Sequence, residues 1–113
     1  MRYDRSMRLT LCAILLAACG GPGVDDLVGN SCIDDRDCRE SCETGGDFPG
    51  GFCTVGCASD RDCPSDTICA DVRGGVCMYP CDVSDDCRFL GRGYACRDRD
   101  DWAGVRVGVC IGG

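Results

Sequence analysis

Residues 57–77 read CASDRDCPSDTICADVRGGVC, and this stretch of four cysteines decides the fold. Five residues part Cys57 from Cys63, too many for a metal knuckle and enough for one tight turn. The second half has the pattern of a hairpin. Ile68 to Val72 reads as one strand, Arg73-Gly74-Gly75 as its turn and Val76 to Tyr79 as the return.

Moving outward in both directions, the same layout recurs. Cys32, Cys38, Cys42 and Cys53 precede it, and Cys81, Cys87, Cys96 and Cys110 follow. Each set opens C-x5-C, and three residues separate each set from the next. An apolar residue stands before every fourth cysteine (Phe52, Val76, Val109), with a glycine before that (Gly51, Gly75, Gly108). The first hairpin loop holds Gly45 to Gly51. The third is stretched to hold Asp98-Arg99-Asp100-Asp101-Trp102-Ala103-Gly104.

The opening spacers IDDRD, ASDRD and DVSDD all end in Asp next to the second cysteine. Asp34 with Asp37, and Ser59 with Asp62, have the spacing of a helix N-cap and its N3 partner. An acidic N3 side chain there accepts from an orphan backbone N–H. Each spacer therefore reads as a turn, or one helical turn, that presents the second cysteine. In the third, Val83 holds the capping position, which passes the cap to Ser84.

The segment CASDRDCPSDTIC resembles the C-x5-C-P-x4-C part of whey-acidic-protein (four-disulfide-core) domains. It is similar as well to Dickkopf-type modules and to acidic Cys-rich repeats of exported myxobacterial proteins. The likeness spans about thirteen residues and rests on cysteine spacing. Whey-acidic domains continue with adjacent cysteines, whereas Ala70 follows Cys69 here, a departure that bears on the protease inhibition known for some of them. Four cysteines alone permit three pairings. The resemblance implies first-to-third and second-to-fourth bridges: Cys32–Cys42, Cys38–Cys53, Cys57–Cys69, Cys63–Cys77, Cys81–Cys96 and Cys87–Cys110.

Composition agrees with a stapled domain. Fourteen cysteines in 113 residues exceed the usual level of a disulfide scaffold, and seven aromatic residues cannot build a large core. The expected fold class is small and disulfide-rich. It has three tandem four-cysteine repeats, each a capped turn plus a short β-hairpin, with little regular secondary structure.

The amino terminus carries an address. Met1 to Arg8 is basic, Leu9 to Leu16 (LTLCAILL) is apolar and too short to span a bilayer, and Ala17-Ala18 follow. Met7 serves equally well as a start. Leu16-Ala17-Ala18-Cys19 resembles the bacterial lipobox, which implies cleavage before Cys19, a diacylglycerol thioether on its sulfur and acylation of the new amino group. Two or more acyl chains anchor stably, one only marginally. Cysteine parity points the same way. With Cys12 discarded and Cys19 lipidated, twelve remain; a free Cys19 leaves an odd thiol in an oxidising compartment.

The domain layout is thus a signal peptide over 1–18, a lipidated tether over 19–31 and repeats over 32–56, 57–80 and 81–113. Gly20 to Ser31 (GGPGVDDLVGNS) reads as a flexible chain reaching roughly 20 Å. Gly20, where an Asp resembles the inner-membrane retention signal, favours the outer membrane of a Gram-negative envelope.

From Cys19 onward, nine Arg face eighteen acidic residues, a net charge of −9 that repels nucleic acid and anionic head groups. The chain has no His and no Lys, so it lacks the commonest general base and metal ligand, and no enzyme activity or cofactor is expected. Oxidised cysteines argue against zinc, and the absence of C-x-x-C argues against redox catalysis. The acidic spacers raise calcium, which needs six to eight oxygen ligands. Each spacer supplies two or three carboxylates, better suited to capping turns.

These readings converge on a membrane-anchored, non-enzymatic binding or envelope-structural module. Inhibition of secreted proteases and calcium-dependent adhesion are the alternatives. Trp102, with Arg99, Asp100 and Asp101 beside it, is the candidate contact for a protein or glycan partner, since Trp and Arg dominate interface hot spots. The competing role for Trp102 is a lid folded over the core.

Overall fold

A computed structural model describes residues 24–113. The signal segment and Cys19 lie outside the described residues. Each repeat begins with a short 3-10 helix: η1 Asp35–Asp37, η2 Asp60–Asp62 and η3 Ser84–Leu90. A two-stranded antiparallel hairpin closes it. These pair β1 Ser41–Glu43 with β2 Phe52–Thr54, β3 Ile68–Ala70 with β4 Val76–Met78, and β5 Tyr94–Asp100 with β6 Arg106–Gly112. The chain is a small disulfide-rich fold with little regular secondary structure.

The spacers turn because their acidic side chains hold backbone donors. Asp37 accepts from the N–H of Ile33 at 2.8 Å, Asp62 from Ala58 at 2.8 Å and Asp86 from Asp82 at 2.9 Å. Each also accepts from the next residue along, Asp34, Ser59 or Val83. Asp34 further caps Arg36. Ser84, expected to cap η3, does something else. Its Oγ accepts from the Cys96 N–H at 3.1 Å, as Asp35 accepts from Cys42 at 2.8 Å and Asp60 from Cys69 at 2.9 Å. The third residue after each first cysteine thus ties the spacer to the hairpin, and Val83 leaves the cap position without a side-chain acceptor.

In every hairpin the third and fourth cysteines face each other: Cys42 and Cys53, Cys69 and Cys77, Cys96 and Cys110. They are not joined to one another. The bridges run Cys32–Cys42, Cys38–Cys53, Cys57–Cys69, Cys63–Cys77, Cys81–Cys96 and Cys87–Cys110, the first-to-third, second-to-fourth set. The turn delivers two cysteines to a cross-strand pair, so two bridges stack side by side in each repeat. Each native bridge contributes ~2–5 kcal/mol.

The glycine before each apolar–Cys pair has a steric cause. A Cβ on Gly75 would run into the carbonyl oxygen of Cys57, and one on Gly51 into that of Cys32. Both glycines also have positive φ, at 111° and 81°. The approach lets the Cys57 N–H donate to the Gly75 carbonyl at 3.0 Å.

The fourth cysteine then reaches back beyond its own repeat's start. Its N–H donates to the carbonyl two residues before the first cysteine: Cys53 to Asn30 at 2.9 Å, Cys77 to Val55 at 3.1 Å and Cys110 to Tyr79 at 2.9 Å. Asn30 therefore belongs to the folded domain, and the expectation of a free tether through Ser31 is corrected. The Asp25 carboxylate accepts from the N–H groups of Leu27 and Val28, making a local turn. Val28 is 2% exposed, and the Tyr79 hydroxyl donates to its carbonyl at 3.0 Å. From Asp25 onward the chain is docked.

Four aromatics, Phe48, Phe52, Tyr79 and Tyr94, lie in one core shared by all three repeats. Phe48 stacks on Phe52 with ring centroids 5.5 Å apart, and Phe52 meets Tyr79 and Tyr94 at 6.4 and 6.2 Å. Val28, Met78 and Ile111 complete it. Arg73 clamps repeats one and two, pairing with Glu43 at 2.9 Å, donating to the Thr44 carbonyl and lying over the Phe48 ring. The N–H of Gly112 donates to the Asp47 carbonyl at 2.8 Å, joining repeat three to repeat one.

Candidate functional site

The third hairpin departs from the sequence reading. Strand pairing runs on to Asp100 and Arg106, so Asp98, Arg99 and Asp100 lie in β5, outside the loop assigned to them. Cross-strand register, from Arg97 opposite Val109 to Asp100 opposite Arg106, overrides the loop-like look of RDRDD. What remains is a five-residue tip over 101–105. The longest hairpin loop is that of the first repeat.

The tip is pinned from within and from the side. Asp101 Oδ1 accepts from the N–H groups of Ala103 and Val105, both at 2.9 Å. The Asp101 N–H donates to the Val105 carbonyl at 2.8 Å, and Gly104 supplies the positive φ of 83° that the turn needs. Laterally, the Trp102 N–H donates to the Cys69 carbonyl at 3.1 Å and the Asp71 N–H to the Asp100 carbonyl at 2.8 Å. The edge of the second repeat thus holds the backbone of the third repeat's tip.

Trp102 itself is 49% exposed and Val105 57%, and neither joins the shared core. The side chain does not fold over the core. Of the residues grouped with it by sequence, Asp101 is used up in shaping the turn, and Asp100 pairs with Arg106 at 3.3 Å. Arg99 donates to the Asp98 carbonyl. As strand neighbours, Arg99 and Asp100 point to opposite faces of the ribbon. The surface left for a partner is Trp102 with Val105, a residue that sequence reasoning overlooks. No signal in the sequence marks it, since Val76 and Phe52 also follow turn glycines and are buried.

In the acidic spacers Asp34, Asp35, Asp37, Asp60, Asp62 and Asp86 accept from backbone donors, and Asp85 pairs with Arg88 at 3.2 Å. Hydrogen bonds from Ile33 and Asp34 hold the Asp37 carboxyl below its ordinary range, and those from Asp82 and Val83 do the same for Asp86. Among the described residues, no three carboxylates have oxygens within 4.8 Å of one another, and the clusters that do meet this distance are disulfide cysteines. The calcium reading is left with no convergent ligand set, and the cysteines are engaged as bridges. Among the described residues no helix is long and apolar enough to cross a membrane.

Set against protein families, curated proteins and solved structures, the chain matches none of them significantly.

Proposed function

We propose that this chain is an exported bacterial lipoprotein, cleaved before Cys19 and anchored through lipid on that residue. It acts as a non-enzymatic binding or envelope-structural module on the outer membrane, and the tip carrying Trp102 and Val105 contacts a protein or glycan partner. The observation that carries the contact is the pairing of a half-exposed Trp with a backbone tied down by the Cys69 carbonyl and the Asp101 carboxylate. An aromatic anchor on a preorganised loop loses little entropy on binding. The lipobox and the even count of remaining cysteines support the anchor.

Fractionation of cells expressing Cys19→Ser tests the anchor. The wild type is expected in membranes and the variant in soluble fractions; equal partition would refute it.

Inhibition of secreted proteases is a second reading, favoured by the same pinned tip. Prolonged incubation with a trypsin-like protease probes it, because Arg99 and Arg106 flank the turn. Rapid cleavage there without loss of protease activity would dismiss it.

A further inference from the structure

We infer that the face bearing Val24 and Phe89 rests against the lipid surface, which fixes the domain's orientation on the membrane. The inference rests on the lipid anchor at Cys19 proposed above.

Tether length comes first. Because the chain is docked from Asp25, the span from Cys19 to Asp25 is six residues, at most ~22 Å when fully extended. A domain of this size is about 30 Å across. The leash is shorter than the body it holds, so the face on which residue 25 emerges is turned toward the bilayer.

That face has apolar residues open to solvent. Val24 is 41% exposed and lies against Gly29, whose immediate neighbour is also the Tyr79 hydroxyl. Phe89 packs edge-on against the Tyr79 ring, with centroids 5.0 Å apart, yet remains 37% exposed. Buried Tyr79 thus links the two exposed residues, its hydroxyl beside Gly29 and Val24 and its ring against Phe89. Leu27 and Leu90 are partly buried and pack on the same core.

The charges suit head groups rather than a dry interface. Arg88 and Arg92 flank Phe89 in the chain and are both exposed. Arg88 shares its charge with Asp85 at 3.2 Å, and Arg39 with Asp26 at 2.9 Å. A zwitterionic head group carries both a phosphate and an ammonium, which match the guanidinium and the carboxylate members of these pairs. Asp25 and Asp26 at the tether's entry and Asp85 beside Arg88 lie on this face as well, so it suits zwitterionic rather than anionic lipid.

The test uses the full lipidated chain, extracted from membranes and reconstituted into phosphatidylcholine vesicles with brominated acyl chains. Wild-type Trp102 is compared with a Trp placed at the face by Phe89→Trp in a Trp102→Phe background. Val24→Trp in the same background is the second variant, and mass under non-reducing conditions confirms that the bridges form. Position 89 or 24 is expected to be quenched at least about threefold more than Trp102. Equal quenching in protein whose mass carries lipid would overturn the orientation while leaving the anchor intact. Protection of position 89 by concentration-dependent dimers, without lipid quenching, would assign the face to a second copy and overturn it as well. An unmodified mass would overturn the anchor reading and this inference together.

Discussion

Gly75 and the carbonyl oxygen of Cys57 are so close that no side chain fits between them, and the Cys57 N–H donates back to the Gly75 carbonyl at 3.0 Å. Gly51 approaches Cys32 in the same way. The contact closes each repeat on its own first cysteine, and it gives Gly75→Ala two costs: a positive φ and a backbone clash. A loss of about 2–3 kcal/mol is expected, or ~10–20 °C in melting temperature. Gly74→Ala, also at positive φ but facing open space, should lose about 1 kcal/mol. Equal effects by thermal scanning would contradict the contact.

Tyr94 is buried, and its hydroxyl lacks a hydrogen-bond partner among the described residues, with burial pushing its ionisation up to about 12. Removing an unsatisfied buried hydroxyl relieves a desolvation cost. Tyr94→Phe should therefore stabilise the domain by about 1 kcal/mol, seen as a higher melting temperature. A fall in melting temperature would show that the hydroxyl is satisfied in solution.

The Asp37 and Asp86 carboxyls are held below their ordinary value of 3.8 by two backbone donors each. A lowered folded-state value contributes stability that is present above the unfolded value and lost as pH falls through the folded one. Stability from these turns is thus unchanged between about pH 5 and pH 8, and declines only below about pH 4. A carboxyl-detected NMR titration should place both midpoints below 3.8. Midpoints at or above that value would remove the turns' carboxylate–amide bonds.

Arg73 joins repeats one and two through Glu43, the Thr44 carbonyl and the Phe48 ring. Its ion pair is partly exposed and contributes little alone, whereas the carbonyl bond and ring contact add to it. Arg73→Ala should cost about 1–2 kcal/mol and speed amide exchange in the 44–51 loop. Unchanged exchange there would mean that the repeats meet without this clamp.

Trp102 separates binding from folding. Half-exposed and outside the core, it should be replaceable by Ala with all six bridges intact and a stability change below about 1 kcal/mol. Phe52→Ala, by contrast, opens the shared core and should cost about 3–5 kcal/mol. Matching losses in the two variants would place Trp102 in the core.

Local spacing makes much of each repeat legible. The turn from the first cysteine to the second, the hairpin and the closing glycine are all set by residues near one another in the chain. Contacts between repeats carry no such period. Nothing in GGPGVDDLVGNS marks Val28 as buried, because its partner Tyr79 lies far along the chain. Ser84 differs from expectation for a related reason. Its acceptor role is defined by Cys96, twelve residues away, not by the cap beside it. A sequence does not separate an exposed Trp102 from a core Trp; the Cys69 carbonyl that holds its backbone does.

The most direct test is a non-reducing peptide map, by mass spectrometry, of the protein extracted from membranes. The account predicts an amino-terminal peptide beginning at Cys19 with lipid attached, and six bridges, all first-to-third or second-to-fourth within a repeat. An unmodified Cys19, or any bridge between repeats such as Cys53 to Cys57, would contradict it.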